Sequence, residues 1–259
     1  MPRAPRALLL DFGGVLVDEP VQRGRSVPMT SVVRVTSVVR ERLAAAGAPV
    51  PDTLDADLAA GLTAYGHYCE AMVRPSEPVE PSHHELWTQY VAADWPAAAR
   101  TVVAEQASQL CYQLVQLDDD LPLRPGTAEL LADAAARGIP LAIVSNTVCG
   151  ARHRDYLASV GIGTRFAVQL YSDEAGIRKP HPELVRRAAK VVEVPVEECW
   201  YVGDTWSRDV RCGRRAGVGT TVLMHSSRTG TETAPAGLRA DIEVADPVEL
   251  HATLTAAWT

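Results

Sequence analysis

Short apolar runs that end abruptly in polar residues occur near the N-terminus and throughout the second half of the chain. The first run, at 7–10, ends at Asp11 and two glycines, and a second, PLAIV at 140–144, ends at Ser145. Runs of this length without polar alternation are typical of strands buried on both faces of a parallel sheet. Helical spacing separates such runs between residues 121 and 259. The pattern therefore predicts an α/β fold with a Rossmann-like parallel sheet.

Residues 19–120 have helical spacing and no strand pattern. The apolar positions predict four helices, from Val32 to Gly47, Thr53 to Val73, Ser82 to Val91 and Pro96 to Leu117. The third opens with Ser-x-x-Glu, the form of a capping box. A helical block of this length between two strands indicates an α-helical cap domain inserted into the α/β core. We therefore expect residues 1–18 and 121–259 to form the core and residues 19–120 to form the cap.

The composition of the 259 residues argues against several classes of protein but does not indicate a function. A net charge of -7 and a pI near 5.5 argue against a nucleic-acid-binding surface. The N-terminal apolar run reaches Asp11 too soon for a secretory signal, and no apolar run approaches the length of a membrane span. The five cysteines form no CxxC pair. We expect a reduced, cytoplasmic protein with no nucleic-acid or membrane partner.

Polar residues of complementary chemistry follow three of the predicted strands. Asp11, Ser145 and Asp204 each lie at such a strand end, and Lys179 lies between two strands. Because the carboxyl ends of parallel strands meet at one edge, we expect these side chains to converge. A carboxylate that attacks a phosphoryl group needs cations beside it, and Lys179 and Mg²⁺ would supply them. Mg²⁺ prefers oxygen ligands such as carboxylates. The set favours phosphoryl transfer through an aspartyl phosphate.

Four motifs, in order along the chain, establish a resemblance to a known superfamily. They are DFGGVLVD at Asp11, SNT at Ser145, SDEAGIRKPHPE around Lys179 and VGDTWSRDV around Asp204. In this order and spacing, the chain resembles the haloacid dehalogenase (HAD) superfamily with a helical cap of the C1 type.

The resemblance implies a role for each motif residue. Asp11 would be the nucleophile, and Lys179 would orient it and neutralise the phosphoryl group. Ser145 and Asn146 would bind the substrate. Magnesium would be held by Asp11, the main-chain carbonyl of Gly13, Asp204 and Asp209, the last acting through a water or by positioning the lysine. The implied activity is Mg²⁺-dependent hydrolysis of a small phosphorylated metabolite, a phosphomonoester.

Gly13 departs from the pattern, because phosphatases of the superfamily carry a second Asp here that protonates the leaving group. Three explanations are open: an acid from the cap, a substrate with a good leaving group, or ligand binding without catalysis. The cap candidates are His67, His83, His84 and Glu85. Dehalogenases of the superfamily also lack this Asp, so 2-haloacid hydrolysis is an alternative. Phosphonate cleavage needs a cap lysine, and residues 19–120 contain none. The sequence leaves the substrate and the oligomeric state open.

Arg152, His153 and Arg154 follow the second motif on a predicted helix. They could contact the distal anionic group of a substrate. The pattern favours a solvated helix face for these three residues.

Overall fold

In the part of the chain that the structure describes, six short strands form one sheet. The computed structural model describes residues 3–18, 29–115, 117 and 121–259. The strands are β1 (Ala7–Leu10), β2 (Leu141–Ser145), β3 (Val168–Tyr171), β4 (Cys199–Gly203), β5 (Thr220–Met224) and β6 (Ile242–Val244). Their order across the sheet is β3-β2-β1-β4-β5-β6, and every neighbouring pair is parallel. This sheet confirms the expected α/β, Rossmann-like class.

Both faces of the central strand β1 are buried, which explains its uninterrupted apolar run. Leu8 and Leu10 pack into one apolar cluster with Ile143, while Leu9 packs into a second cluster with Val144. Successive side chains of a strand point to opposite faces of the sheet. A strand covered on both faces therefore needs apolar residues at every position.

The topology brings three strand ends together. Strand β1 pairs with β2 on one side and with β4 on the other, so that Leu10 lies between Ile143 and Val202. The chain moves from β1 towards β3 in one direction and returns to β4 on the opposite side of β1. Open α/β sheets bind ligands at such a reversal, beyond the carboxyl ends of the strands.

Between β1 and β2 the chain forms a helical insert, defined here as residues 29–114. Its helices are α1 (Met29–Ala45), α2 (Leu54–Ala71), α3 (His83–Glu85), a π-helical turn (Leu86–Val91), α4 (Ala97–Glu105) and α5 (Ala107–Leu114). These helices bury an apolar core of their own around Trp87. The predicted capping box is confirmed. The Ser82 hydroxyl accepts the Glu85 main-chain N–H at 3.2 Å, and the Glu85 carboxylate accepts the Ser82 N–H at 2.8 Å.

The single helix predicted from Pro96 to Leu117 is wrong, because two helices occupy this stretch. Helix α4 ends at Glu105 and α5 begins at Ala107, with Gln106 at φ -105° and ψ 9° between them. Leu117 is buried but lies beyond α5. The stretch contains no Gly or Pro after its first residue, so apolar spacing alone extends the helix across the break. The predicted domain boundaries at 19 and 120 lie outside the described residues, and the division into two domains stays a prediction.

The remaining helices cover the two faces of the sheet. They are α6 (Thr127–Ala136), α7 (Gly150–Ser159), α8 (Ser172–Ala175), α9 (Pro182–Val191), α10 (Arg211–Ala216) and α11 (Pro247–Trp258), with a π-helical turn at Trp206–Val210 before α10. Helices α6, α7 and α11 share the apolar cluster of Leu8, whereas α9 and α10 share that of Leu9. Among the helices of the described ranges, none is both long and apolar enough to cross a bilayer.

Candidate active site

The carboxyl ends of β1 and β2 and the loops that face them line a small cavity. Five of the residues predicted to form the site, Asp11, Gly13, Ser145, Asn146 and Lys179, line this cavity. Asp204 and Asp209, which follow β4, lie fully buried beside it. The structure thus brings together side chains from all four motifs.

Lys179 lies between two buried carboxylates. Its Nζ is 2.9 Å from Oδ1 of Asp11 and 2.6 Å from Oδ1 of Asp209, and the lysine side chain is only 2% exposed. Burial disfavours the charge on this ammonium, but the two carboxylates outweigh it and raise the pKa of Lys179 above its ordinary value. The main-chain N–H of Phe12 also donates to Oδ1 of Asp11, at 2.7 Å. A charged amine is therefore fixed beside the predicted nucleophile.

Asp209 is held by a set of donors that keeps it ionised. The Tyr201 hydroxyl donates to Oδ1 at 2.8 Å, and the Thr205 main-chain N–H donates to Oδ2 at 3.0 Å. Burial opposes the charge, yet Lys179 holds the pKa of the Asp209 carboxyl well below its ordinary value. Burial raises the pKa of the Asp11 carboxyl, and Lys179 opposes this shift. Of the two roles expected for Asp209, the contacts favour positioning the lysine.

The three aspartates form a cluster of oxygen ligands. Carboxylate oxygens of Asp11, Asp204 and Asp209 lie within 4.8 Å of one another, and Arg228 donates to both Asp204 and the main-chain carbonyl of Gly13. These are the four groups predicted to hold magnesium, and a donor set made of oxygen fits the preference of Mg²⁺. The predicted ligands therefore suit a hard divalent cation.

A glycine at position 14 lets Asp204 approach the first strand end. Gly14 has φ +76°, and a Cβ there would lie 2.0 Å from Oδ2 of Asp204. This backbone conformation is open to glycine at little steric cost, and the space beside it is filled by the carboxylate. The second glycine of the first motif is thus required by the geometry of the site.

Asn146 supports the main chain that carries Lys179. Its Oδ1 accepts the N–H of Lys179 at 2.7 Å, and its Nδ2 donates to the carbonyl of Lys179 at 3.1 Å. Because both ends of the amide are engaged, the contacts favour a positioning role, and the expected role in substrate binding stays a prediction. Ser145 is 4% exposed and lines the same cavity as Asp11.

The cavity is also lined by Arg208 and Arg228, which the sequence does not single out, and by His153, for which a substrate contact is the alternative to a solvated helix face. The solvated helix face expected for His153 is wrong, because this residue is 5% exposed and packs edge-on against Phe12 with ring centroids 4.5 Å apart. Tyr156 lies three positions further along α7, on the same face of the helix as His153. An aromatic residue at this position was the sequence signal that this face is buried. Arg208 lies within the fourth motif, whereas Arg228 lies in a polar loop with no spacing to interpret.

The four cap residues considered as acids lie away from the cavity. His67 is exposed, and His83 contacts Asp173 of helix α8 at 3.2 Å. His84 lies near the Thr88 hydroxyl, and Glu85 is engaged in the capping box. Of the described residues that line the cavity, none comes from the helical insert. In this conformation the insert offers no substitute for the missing acid.

Comparison with known proteins identifies the family. A family model described as haloacid dehalogenase-like hydrolase matches residues 5–217. A phosphoserine phosphatase from Thermus thermophilus is 38% identical over 114 residues, which are 44% of this chain and 45% of that protein, so the match spans less than half of that relative. A phosphoglycolate phosphatase from Xanthomonas campestris is 27% identical over 261 residues, 99% of this chain and 98% of that protein. The crystal structure of a 2-haloacid dehalogenase from Pseudomonas syringae shares the fold, with a TM-score of 0.61, 17% identity and all of both chains covered. The chain belongs to the haloacid dehalogenase-like hydrolase family.

Proposed function

We propose that this chain is a Mg²⁺-dependent phosphatase that hydrolyses a small phosphomonoester through an aspartyl phosphate on Asp11. The observation that carries the proposal is the ion pair between Asp11 and Lys179, beside the buried Asp204 and in a cavity lined by Ser145. A carboxylate, an ammonium and a hydroxyl thus border one volume. Attack by a carboxylate on a negatively charged phosphoryl group needs this combination.

The residues divide the chemistry between two displacements at phosphorus. An oxygen of Asp11 attacks phosphorus as the bond to the ester oxygen breaks, and the alcohol leaves with a proton from the solvent. Water then attacks phosphorus, inorganic phosphate leaves, and the Asp11 carboxylate is restored. Lys179 neutralises phosphoryl charge and the Ser145 hydroxyl donates to a phosphoryl oxygen. When bound by Asp11, Asp204 and the carbonyl of Gly13, Mg²⁺ supplies further positive charge next to the phosphoryl oxygens.

The proposed substrate is a small anionic metabolite of the cytoplasm. The two relatives are named for phosphoserine and phosphoglycolate, both of which are small phosphomonoesters. Arg208 also lines the cavity, and its positive charge suits a phosphate with a second negative group. The five cysteines are free and buried, which suits a reducing compartment.

The glycine at position 13 limits which substrates react quickly. General acid catalysis contributes roughly 10²–10⁴-fold to the rate of a step that expels a poor leaving group. Gly13 has no side chain to supply it. We therefore expect an acyl or aryl phosphate, whose leaving group needs no protonation, to react faster than an alkyl phosphate.

The test is release of inorganic phosphate from a panel that includes acetyl phosphate, p-nitrophenyl phosphate and alkyl phosphates, with and without Mg²⁺. Asp11→Asn should abolish release. Asp94→Asn changes an exposed carboxylate in the helical insert and should leave release unchanged. Release that survives Asp11→Asn would exclude the aspartyl mechanism. No release from any substrate would favour a ligand-binding protein without catalysis.

Hydrolysis of a 2-haloacid is a second candidate, favoured by Gly13 and by Arg228, which already places a positive charge on Asp204. In that reaction an oxygen of Asp11 displaces halide from carbon, and water then cleaves the ester to release a hydroxy acid. Chloride release from 2-chloropropionate without metal would support this candidate. Mg²⁺-dependent phosphate release without chloride release would exclude it.

A further inference from the structure

The guanidinium of Arg228 lies on oxygen atoms that are proposed to bind the cation. Its Nε is 2.8 Å from Oδ2 of Asp204, and its Nη2 is 3.3 Å from Oδ1 of the same carboxylate. Nη2 also donates to the main-chain carbonyl of Gly13. The Asp204 side chain is fully buried, whereas that of Arg228 is 22% exposed. The Arg228 guanidinium thus donates hydrogen bonds to two of the predicted magnesium ligands, and its side chain remains partly exposed to solvent.

The loop segment 226–229 is built around Asp204, and this fixes the position of Arg228. The Ser226 hydroxyl donates to Oδ2 of Asp204 at 2.6 Å, and the Thr229 hydroxyl donates to the main-chain carbonyl of Asp204 at 2.6 Å. Within the segment, the Arg228 N–H donates to the Ser226 hydroxyl, and the Ser226 N–H donates to the Thr229 hydroxyl, both at 3.0 Å. These bonds hold the arginine over the carboxylate.

We propose that Arg228 competes with Mg²⁺ for Asp204 and for the Gly13 carbonyl, and so sets the cation affinity of the site. Mg²⁺ contacts its oxygen ligands directly, at about 2.0–2.1 Å and in near-octahedral geometry. It cannot use the lone pairs to which a guanidinium donates, and two cations at one place repel each other. Mg²⁺ can bind through the lone pairs that Arg228 now occupies only after the guanidinium withdraws from them, and the Arg228 side chain is 22% exposed.

The competition makes the native site a weaker Mg²⁺ site than its carboxylates alone would form. Hydrogen bonds between charged groups must break before the ion binds, and their loss lowers the affinity by about tenfold or more. Arg228→Gln removes the competing charge, so Mg²⁺ should bind at least about tenfold more tightly. Lysine keeps the charge but lacks the planar fork of arginine, so Arg228→Lys should have an intermediate affinity.

The experiment titrates Mg²⁺ alone into the purified full chain by isothermal titration calorimetry. Arg40→Gln is the control, because Arg40 pairs with Asp55 at an exposed position of the helical insert and carries the same charge. Its Kd should equal that of the unmodified chain. Tighter binding in Arg228→Gln, with Arg228→Lys intermediate, supports the competition. Unchanged or weaker binding in Arg228→Gln, or no detectable binding by either protein, overturns it. Should Arg228→Gln fail to fold, Arg228→Lys decides the question by the same comparison.

The competition rests on the proposed function for the identity of the cation, and two readouts separate them. Tighter Mg²⁺ binding in Arg228→Gln, without phosphate release from any substrate, upholds the competition and refutes the phosphatase. Mg²⁺-dependent phosphate release with unchanged Mg²⁺ affinity in Arg228→Gln upholds the phosphatase and refutes the competition.

Discussion

A buried ion pair joins the helical insert to the loop after α8, and we expect Arg178→Met to destabilise the fold strongly. Nη1 of Arg178 lies 2.8 Å from Oε1 of Glu80, and the two side chains are 7% and 1% exposed. The Tyr65 hydroxyl donates to the same oxygen of Glu80 at 2.6 Å. An antiparallel bridge between Val79 and Ile177 flanks the pair. The contact therefore fixes the insert next to the segment that carries the third motif.

Removing one partner of a buried pair leaves the other charge without a counterion, at a cost of about 3–5 kcal/mol. Burial already raises the pKa of the Glu80 carboxyl, and Arg178 opposes this shift. Without the arginine the pKa of Glu80 rises further, so the carboxyl takes up a proton as the pH falls. A folded-state pKa above that of the unfolded chain stabilises the fold at low pH, and this stabilisation is lost as the pH rises through the folded-state pKa. Arg178→Met should therefore cost more at pH 8 than at pH 5.

The measurement is the free energy of unfolding from urea titrations at pH 5 and pH 8. Arg40→Met is the matched control, because Arg40 and Asp55 are 52% and 75% exposed and such pairs contribute about 0–1 kcal/mol. The double variant Glu80→Leu with Arg178→Met removes both charges and should recover part of the loss. A loss in Arg178→Met below about 1 kcal/mol at pH 8, or equal to that in Arg40→Met, would refute the expectation from burial. A larger loss at pH 5 than at pH 8 would refute the expected titration of Glu80.

Three further substitutions probe the site directly. Lys179→Met should lower phosphate release by roughly 10²–10³-fold with an unchanged circular dichroism spectrum, since it removes the ammonium beside Asp11, the proposed nucleophile. A loss below tenfold would contradict that role. Gly14→Ala should weaken Mg²⁺ binding and lower the Tm more than the control Gly161→Ala. Gly161 has nearly the same φ, +75°, but a Cβ there would meet nothing within 4 Å. Equal losses in the two variants would contradict the clash with Asp204. Gly13→Asp should speed hydrolysis of alkyl phosphates by roughly 10²–10⁴-fold and leave aryl phosphates nearly unchanged, and an equal effect on both would show that the missing acid does not limit the rate.

The strands could be predicted because a strand that is buried on both faces is an uninterrupted apolar run. Such a run can be identified without knowing which strands lie beside it. The apolar run at 7–10 forms strand β1, Ala7–Leu10, with the bounds that the run predicts. The break between α4 and α5 could not be predicted, since Gln106 has no strong preference against a helix. That break depends on how the two helices pack in the core of the insert, which is a property of the whole fold.

The sequence predicts that the site residues lie close together, because they follow strands and the carboxyl ends of parallel strands meet at one edge of the sheet. This was enough to bring Asp11, Ser145 and Asp204 together. Arg228 could not be found in this way, because it lies in a loop rich in Ser, Thr and Gly and reaches Asp204 across 24 positions of the chain. Such a contact depends on the path of the loop, and no periodic pattern records it.

Charge balance connects the glycine at position 13 with Arg228. Three buried carboxylates cluster at the site, and burying a carboxylate without a counter-charge is costly. Lys179 pairs with two of them and Arg228 with Asp204, so the chain supplies cations for all three. The three carboxylates already outnumber these two cations, and a fourth carboxylate, introduced by Gly13→Asp, would enlarge the excess of negative charge. We therefore expect Gly13→Asp to have a lower Tm than the native chain in EDTA and to gain more from added Mg²⁺, because the ion then neutralises the excess charge. A gain in Tm no larger than that of the native chain would show that the charge at position 13 and the cations around it are independent.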